Sequence, residues 1–188
     1  MRGRRYTVPR EGGGFPRKHR WRVDADLIAP AAFHSGRVRA FMEFIEYVWR
    51  PEGDVLLLSP CSNVKPYPLS PLNRKVGAAL RRLGAWGRVE WVFLSDLLGP
   101  VPYKYTWVPP ACCYEAPPGS VPGWWLGLVR GVVSGWWERV RGFFEGVVAF
   151  LPRKYYGLAA PVLDDAVIVR YDIFRGQKGV EEALSSVL

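Results

Sequence analysis

A short segment of mixed chemistry, residues 60–70, joins an apolar run to a basic helical pattern. It reads PCSNVKPYPLS and so places a thiol, Cys61, close to an amine, Lys65, and a phenol, Tyr67. A cysteine that lies beside a lysine and ahead of a helix has surroundings that lower a thiol pKa and produce a nucleophile. Lys65 can also neutralise an anionic group, while Asn63 and Tyr67 can form hydrogen bonds with the edge of a nucleobase. The segment therefore predicts a nucleophilic, base-binding site.

The prolines of the same segment allow a second interpretation. They fix much of its backbone and stand at Pro60, Pro66, Pro68 and Pro71. Such rigidity suits a preorganised site, because little entropy is lost when it folds. It suits a purely structural crossing equally well. Cysteine is among the most buried residue types, so Cys61 as an inert core thiol in a rigid proline turn is the alternative.

The elements around this segment predict an α/β protein. DVLLLSP, before it, is continuously apolar, as expected of a strand covered on both faces. RVEWVFLS is predicted to be a second strand. Between them Ser70 and Pro71 form a helix start, as N-cap and first helical residue, and the buried stripe of that helix is Leu72, Val76, Leu80 and Leu83. Ligands of open α/β sheets bind beyond the carboxyl ends of strands, which is where residues 60–70 lie.

The rest of the chain continues the alternation of strands and helices. An earlier helix is predicted with Ser35 as N-cap and an apolar face of Val38, Phe41, Ile45 and Val48. A strongly apolar stretch near 123–152 carries one polar stripe, Arg130, Ser134, Glu138, Arg141 and Glu145, which indicates an amphipathic helix with core tryptophans (Trp125, Trp136, Trp137) and excludes a membrane span. GVVAFLP and AVIVRYDIF are further strands, and GVEEALSSVL a closing helix. We therefore predict a three-layer, mostly parallel sheet with helices on both faces.

Charge divides the 188 residues into an arm and a globule. Residues 1–22 hold eight Arg or Lys and one Glu, so they carry +7 of the formal net charge of +9. We expect this arm to bind nucleic-acid phosphates, although a merely solvated arm is the alternative, and to use Arg2, Arg4, Arg5, Arg17, Lys18, Arg20 and Arg22. Residues 23–188 are expected to form a single α/β domain. Residues 95–123, rich in proline, predict a long functional loop.

Other kinds of site find little support. The chain contains no Walker-type P-loop, and its two histidines, His19 and His34, are isolated, so we expect neither a metal nor a cofactor. Asp164 and Asp165 are interpreted as a polar helix end. Three cysteines do not form a disulfide framework, and the N-terminus lacks a secretory apolar segment. A cytoplasmic location and no membrane partner are therefore expected, and the scarcity of Asn and Gln suggests a heat-loving source.

Residues 60–73 resemble the signature of the archaeosine synthase core domain. That signature is Pro-Cys, three residues, Lys-Pro-Tyr, two residues, Ser, two residues, His. Its counterparts here are Pro60, Cys61, Lys65, Pro66, Tyr67 and Ser70, with Asn73 in place of the histidine. VPYKYTWVPPACCYEAP resembles a later region of the family through Val101, Pro102, Tyr114, Glu115 and Pro117. The resemblance extends from the helix at 37–50 to the strand near 170, and implies a uracil-DNA-glycosylase-like fold.

The resemblance also implies an activity in archaeal tRNA modification. The family joins the side-chain amine of free lysine to the nitrile of 7-cyano-7-deazaguanine in tRNA, giving an amidine that a radical-enzyme partner processes toward archaeosine. The implied catalytic residues are Cys61, Lys65, Tyr67, Ser70 and Asn73, and we expect Asn63 and Glu115 to bind the substrate. The signature leaves open which of them attacks the nitrile and which relay protons.

Two departures from the family support a rival interpretation. Asn73 cannot shuttle a proton near neutral pH as histidine can. The chain also carries the core and an arm, without the transglycosylase-like and RNA-binding domains of larger members. A catalytically inactive RNA-binding or scaffolding subunit, with a separate partner protein, is therefore the alternative to a transferase. A glycosylase-like, base-binding enzyme of the same fold is a third. The intact Cys61, Lys65 and Tyr67 favour the transferase.

Overall fold

The computed structural model describes residues 6–8, 17–19, 23–116 and 119–188, and for the first two ranges the backbone alone. Six of the residues singled out above lie outside the described residues, namely Arg2, Arg4, Arg5, Arg20, Arg22 and Pro117. In the arm, the strand β1 (Tyr6–Val8) pairs with the strand β2 (Arg17–His19) in antiparallel register. Arg17 and Lys18 are therefore placed by their backbone, in β2.

Seven strands and five α-helices are described. The strands after the arm are β3 (Val55–Pro60), β4 (Val89–Ser95), β5 (Gly99–Pro102), β6 (Gly146–Ala149) and β7 (Val167–Ile168). The helices are α1 (Gly36–Glu43), α2 (Pro71–Arg82), α3 (Gly123–Val140), α4 (Tyr156–Leu163) and α5 (Gly176–Val187). Short 3₁₀ segments include Tyr67–Leu69, Tyr103–Trp107 and Arg153–Tyr155.

The main sheet has the strand order β5-β4-β3-β6-β7. Three of its four strand pairings are parallel. The fourth joins the edge strand β5 to β4 in antiparallel orientation. Every residue of β3 and β4 is buried, which explains why their sequences are mostly apolar rather than alternating. The predicted α/β class with a mostly parallel sheet flanked by helices is confirmed. The uracil-DNA-glycosylase-like detail stays a prediction.

The start of α2 is formed as the sequence predicts. The Ser70 hydroxyl accepts a hydrogen bond from the backbone N–H of Asn73 at 3.2 Å, and Pro71 is the first helical residue. These two residues satisfy or remove backbone donors that the first helical turn leaves without partners. At the other end Gly84 adopts a φ of 63°, a left-handed conformation that glycine reaches without a Cβ clash. Both ends of α2 are therefore fixed by local sequence.

The helix at residues 36–48 differs from its prediction. After α1 the chain widens into a π-helical turn, Phe44–Val48, and this changes the periodicity, so Val48 is 63% exposed rather than buried. Ser35 precedes α1 but makes no capping bond. Its hydroxyl instead donates to a carboxylate oxygen of Asp26 at 2.8 Å. Tertiary contacts thus decide both features.

The second half of the chain holds further differences. Helix α3 ends at Val140, so Arg141 and Glu145 of the predicted stripe lie beyond it. The expected strand at AVIVRYDIF shrinks to the two residues of β7, and α4 and β5 were not predicted. Strand β5 reads GPVP, and proline, which cannot donate to a ladder, is confined to edge strands such as this one.

The core contains the tryptophans that the sequence assigned to it. Trp125, Trp136 and Trp137 are almost wholly buried, as predicted. The indole N–H of Trp125 donates to the carbonyl of Leu97 at 2.9 Å and so fastens α3 to the loop that follows β4. Among the described helices, none combines the length and the apolar composition that are needed to cross a bilayer.

Candidate active site

The strand order creates a switch point at β3. From β3 the chain passes through α2 to β4 on one side, and later adds β6 on the other side. Because β3, β4 and β6 are parallel, their carboxyl ends meet at the same edge of the sheet, here called the carboxyl edge. Open α/β sheets bind ligands in the crevice at such a point. Cys61 directly follows β3, Asp96 directly follows β4, and Tyr155 lies shortly after β6.

The Cys61 thiol lies at the centre of this edge. Its backbone N–H donates to the carbonyl of Leu94 at 2.9 Å, and its Sγ forms a hydrogen bond of 3.1 Å with the Tyr155 hydroxyl. The residue as a whole is partly exposed, while the sulfur itself is largely enclosed by its neighbours. Burial, followed by the negative charge of Asp96, raises the pKa of the thiol, although Tyr155 and Lys65 act in the opposite direction. The sequence predicts that Lys65 lowers the pKa of the thiol, but the opposite effect of desolvation is larger.

Lys65 is a buried cation beside the thiol. Its side chain is 4% exposed, and its Nζ lies 4.0 Å from the centre of the Tyr114 ring. Burial lowers the pKa of this amine, while the charges of Cys61, Asp96 and Glu115 favour its protonated form. An amine in such a place loses its proton more readily than a lysine in water, and can exchange protons with a substrate.

Tyr67 belongs to a chain of buried hydroxyls. Its Oη donates to the Oη of Tyr114 at 2.9 Å, and that oxygen lies 2.9 Å from the Oγ of Ser95. The Ser95 Oγ in turn accepts the backbone N–H groups of Leu97 and Leu98. Burial raises the pKa values of both tyrosines, so they remain neutral hydroxyls. The phenol of Tyr67 thus ties together the loops that follow β3 and β4.

Ser70 and Asn73 hold the shape of the segment. Ser70 caps α2, and the Asn73 side chain, 3% exposed, donates from Nδ2 to the backbone carbonyl of Tyr67 at 2.8 Å. Both side chains therefore bind backbone groups of the segment itself. Asn63, in contrast, is exposed on the loop before Lys65. Asn63 is thus open to a substrate, while Ser70 and Asn73 act through the position of their neighbours.

Glu115 is brought to the same region by the long loop. Its backbone pairs with the segment 27–29, since its N–H donates to the Leu27 carbonyl and its carbonyl accepts from Ala29 N–H. Its carboxylate is close enough to Lys65 to favour the charged amine. The structure therefore gathers Cys61, Lys65 and Glu115 at the carboxyl edge.

Sequence reasoning missed Asp96 and Tyr155. Burial raises the pKa of the Asp96 carboxyl, whereas the nearby Lys154 and Lys65 favour its charged form. Tyr155 is nearly buried, and burial raises the pKa of its phenol above the usual range. Each follows a strand that the sequence did reveal. Applying the strand-end rule to FLSD and AFLPRKY, rather than to the first strand alone, would have found them.

Comparisons with known proteins bear on the fold and the family. No curated protein is significantly similar to the chain. The crystal structure of AF0587, a protein of unknown function, superimposes with a TM-score of 0.54 at 21% sequence identity over 77% of this chain. The chain spans 48% of that protein, and the likeness concerns the fold alone. Residues 38–185 match the family described as a domain of unknown function, DUF5591. The chain therefore belongs to the DUF5591 family.

Proposed function

We propose that the chain is a cytoplasmic, archaeosine-synthase-like core that joins the side-chain amine of free lysine to the nitrile of 7-cyano-7-deazaguanine in tRNA. One observation carries the proposal. Within the signature, the Cys61 thiol lies at the switch point of the sheet, hydrogen-bonded to Tyr155 and close enough to the buried Lys65 for their charges to interact. A nucleophile, a hydroxyl donor and an amine of lowered pKa are the groups that addition to a nitrile requires.

The first step is addition of the thiol to the nitrile. The Cys61 sulfur forms a bond with the nitrile carbon, and the nitrile nitrogen takes up a proton, giving a thioimidate. The Tyr155 hydroxyl, 3.1 Å from the sulfur, is placed to supply that proton and to take up in return the proton that the thiol gives up. Burial holds the pKa of this phenol high, so the hydroxyl carries its proton when the substrate binds.

The second step is displacement of the sulfur. The amine of the substrate lysine attacks the thioimidate carbon, the carbon–sulfur bond breaks, and the Cys61 thiol is regenerated with an amidine as product. Lys65, whose pKa burial lowers, is placed to take the proton that the attacking amine releases. The two steps consume one nitrile and one amine, and need no oxidant. A separate radical enzyme would then act on the amidine.

The asparagine at position 73 is compatible with this proposal. Its amide N–H donates to the Tyr67 carbonyl inside the segment, and the N–H of an imidazole can donate to such a carbonyl as well. The replacement thus preserves a positioning bond. Proton transfer falls to Lys65 and Tyr155, which lie beside the thiol.

The test is direct. The protein is incubated with free lysine and tRNA that contains the nitrile base. The tRNA is then digested to nucleosides, and their masses are measured by mass spectrometry. We expect a mass increase equal to one lysine, and its loss in Cys61→Ser. Cys112→Ser is the matched control, since Cys112 is a free, buried thiol outside the proposed chemistry.

The contrary outcomes are distinct. If wild type and Cys61→Ser form the adduct equally, the thiol mechanism fails. If neither forms it, even with cell extract that supplies partner proteins, the transferase fails and the RNA-binding or scaffolding subunit takes its place. Release of the free base, rather than an adduct, would indicate the glycosylase-like enzyme.

A further inference from the structure

Four exposed cations flank the candidate active site along the carboxyl edge. Arg153 and Lys154 lie in the turn after β6, and Arg170 and Arg175 lie in the segment after β7. Strands β6 and β7 are parallel neighbours, and the N–H of Val169 donates to the Ala149 carbonyl, so both turns leave the sheet side by side. All four lie outside the basic arm, for which the sequence predicts RNA contacts.

None of these four cations forms a salt bridge with another residue in the described part of the chain. The charge of Asp172 interacts with both arginines. Its Oδ1 is already bonded to the backbone N–H groups of Phe174 and Arg175, at 2.7 and 3.0 Å. The group therefore presents a net positive charge to solvent.

The cations are connected to the thiol through aromatic side chains. The Nζ of Lys154 lies 4.9 Å from the centre of the Tyr155 ring, and the hydroxyl of that tyrosine bonds Cys61. In the turn after β7, the centre of the Tyr171 ring lies 5.0 Å from that of the Phe150 ring. Burial, followed by the negative charge of the Cys61 thiolate, raises the pKa of the Tyr171 phenol. Each of the two turns that carry the cations thus holds a tyrosine that interacts with Cys61.

The same edge exposes two large apolar side chains. Phe174 is 74% exposed and Ile173 is 52% exposed. The turn that carries them is well ordered by hydrogen bonds, because the Asp172 carboxylate binds two N–H groups and its carbonyl accepts the N–H of Gly176. An aromatic ring held out into solvent between arginines is the arrangement on which proteins stack unpaired bases.

We propose that Arg153, Lys154, Arg170, Arg175 and Phe174 form an RNA clamp, in which the cations bind phosphates of the strand that carries the target base and Phe174 stacks on an unpaired neighbouring base. The clamp rests on the proposed function, since it takes the same tRNA to the same edge. It adds the surface of the globule that holds the RNA, independent of the basic arm.

The experiment measures binding of an unmodified tRNA transcript to the full chain by fluorescence anisotropy at several salt concentrations. Arg170→Gln with Arg175→Gln is compared with Arg50→Gln with Arg130→Gln, a control pair that is exposed and outside any salt bridge of the described residues. Losing two phosphate contacts should flatten the log–log salt slope by about 1.5. The control pair should leave the slope unchanged.

Phe174→Ala is tested beside Phe143→Ala, an exposed aromatic elsewhere, in the same assay. We expect about tenfold weaker binding for Phe174→Ala, as for loss of one stacked base, and little change for Phe143→Ala. Equal effects of the two arginine pairs, or of the two phenylalanines, would overturn the clamp. So would unchanged tRNA binding together with lost binding to phosphatidylserine vesicles, which would show a membrane surface instead.

Failure of the clamp and failure of the proposed function are distinguishable in these assays. The transcript contains no nitrile, so its binding does not depend on the chemistry. If the clamp variants keep the wild-type salt slope and the mass assay detects a lysine adduct, the transferase is supported and the clamp is refuted. Flattened slopes without any adduct would leave an RNA-binding protein.

Discussion

The carboxyl edge of the sheet differs in its charge pairing from the opposite edge, here called the amino edge, where the parallel strands begin. At the amino edge, two cations are paired within the protein, since Arg88 binds the carboxylate of Asp54 and Lys104 binds that of Glu52. At the carboxyl edge, Arg170 and the three other clamp cations face solvent without such partners among the described residues. Charges paired internally contribute to the fold, whereas charges left facing solvent are available to a ligand. The proposed RNA clamp rests on this difference.

The edges also differ in how they use aromatic rings. At the amino edge, Trp91 and Tyr103 stack with centroids 5.6 Å apart, and Trp86 packs edge-on against both, beside a cavity of about 190 Å³. At the carboxyl edge, Tyr67 and Tyr114 place hydroxyls next to a buried amine and a thiol. The first set packs with itself, while the second connects ionisable groups. Chemistry is therefore expected at the carboxyl edge alone.

The largest contrast is expected between two lysines. Lys65→Met should lower the rate of lysine addition by about a hundredfold or more, because a proton-transfer group is lost. Lys104→Met, at the amino edge, should leave the rate unchanged. The adduct is quantified by mass spectrometry over time. Thermal unfolding of both variants serves as the folding control, and a comparable rate loss in folded Lys104→Met would remove the distinction between the edges.

A smaller contrast is expected in stability. Asn73→Ala removes the donor to the buried Tyr67 carbonyl, so the free energy of unfolding should fall by about 1–3 kcal/mol. Arg88→Gln breaks an exposed salt bridge at the amino edge and should cost less, because water screens such pairs. Denaturant titration measures both. Asn73→His, which can keep a donor, should lose less than Asn73→Ala, and an equal loss would show that the hydrogen bond does not matter.

The smallest effect concerns thiol reactivity. The Tyr155 hydroxyl stabilises the Cys61 thiolate and so lowers the pKa of that thiol. Tyr155→Phe removes this stabilisation, which raises the pKa further, so the pH profile of Cys61 alkylation by iodoacetamide should move to higher pH. Tyr103→Phe, at the amino edge, should not move it. A profile shifted to lower pH by Tyr155→Phe would contradict the hydrogen bond to the thiolate.

What the sequence determined by itself is local. The apolar run of β3 and the helix start formed by Ser70 and Pro71 follow from neighbours along the chain, and the structure contains both. The position of Cys61 just beyond a buried strand follows from the same run. These features were predictable because strand burial, capping and turn chemistry act over a few residues.

Only the tertiary structure decided the partners of the thiol. Tyr155 is 94 residues from Cys61 in sequence, yet its hydroxyl lies 3.1 Å from the sulfur, because β6 is inserted beside β3. Asp96 arrives through β4 on the other side. The balance that raises rather than lowers the thiol pKa depends on burial, which a pattern of residue types does not contain. Strand order and desolvation are properties of the whole fold, so they could not be read from residues 60–70.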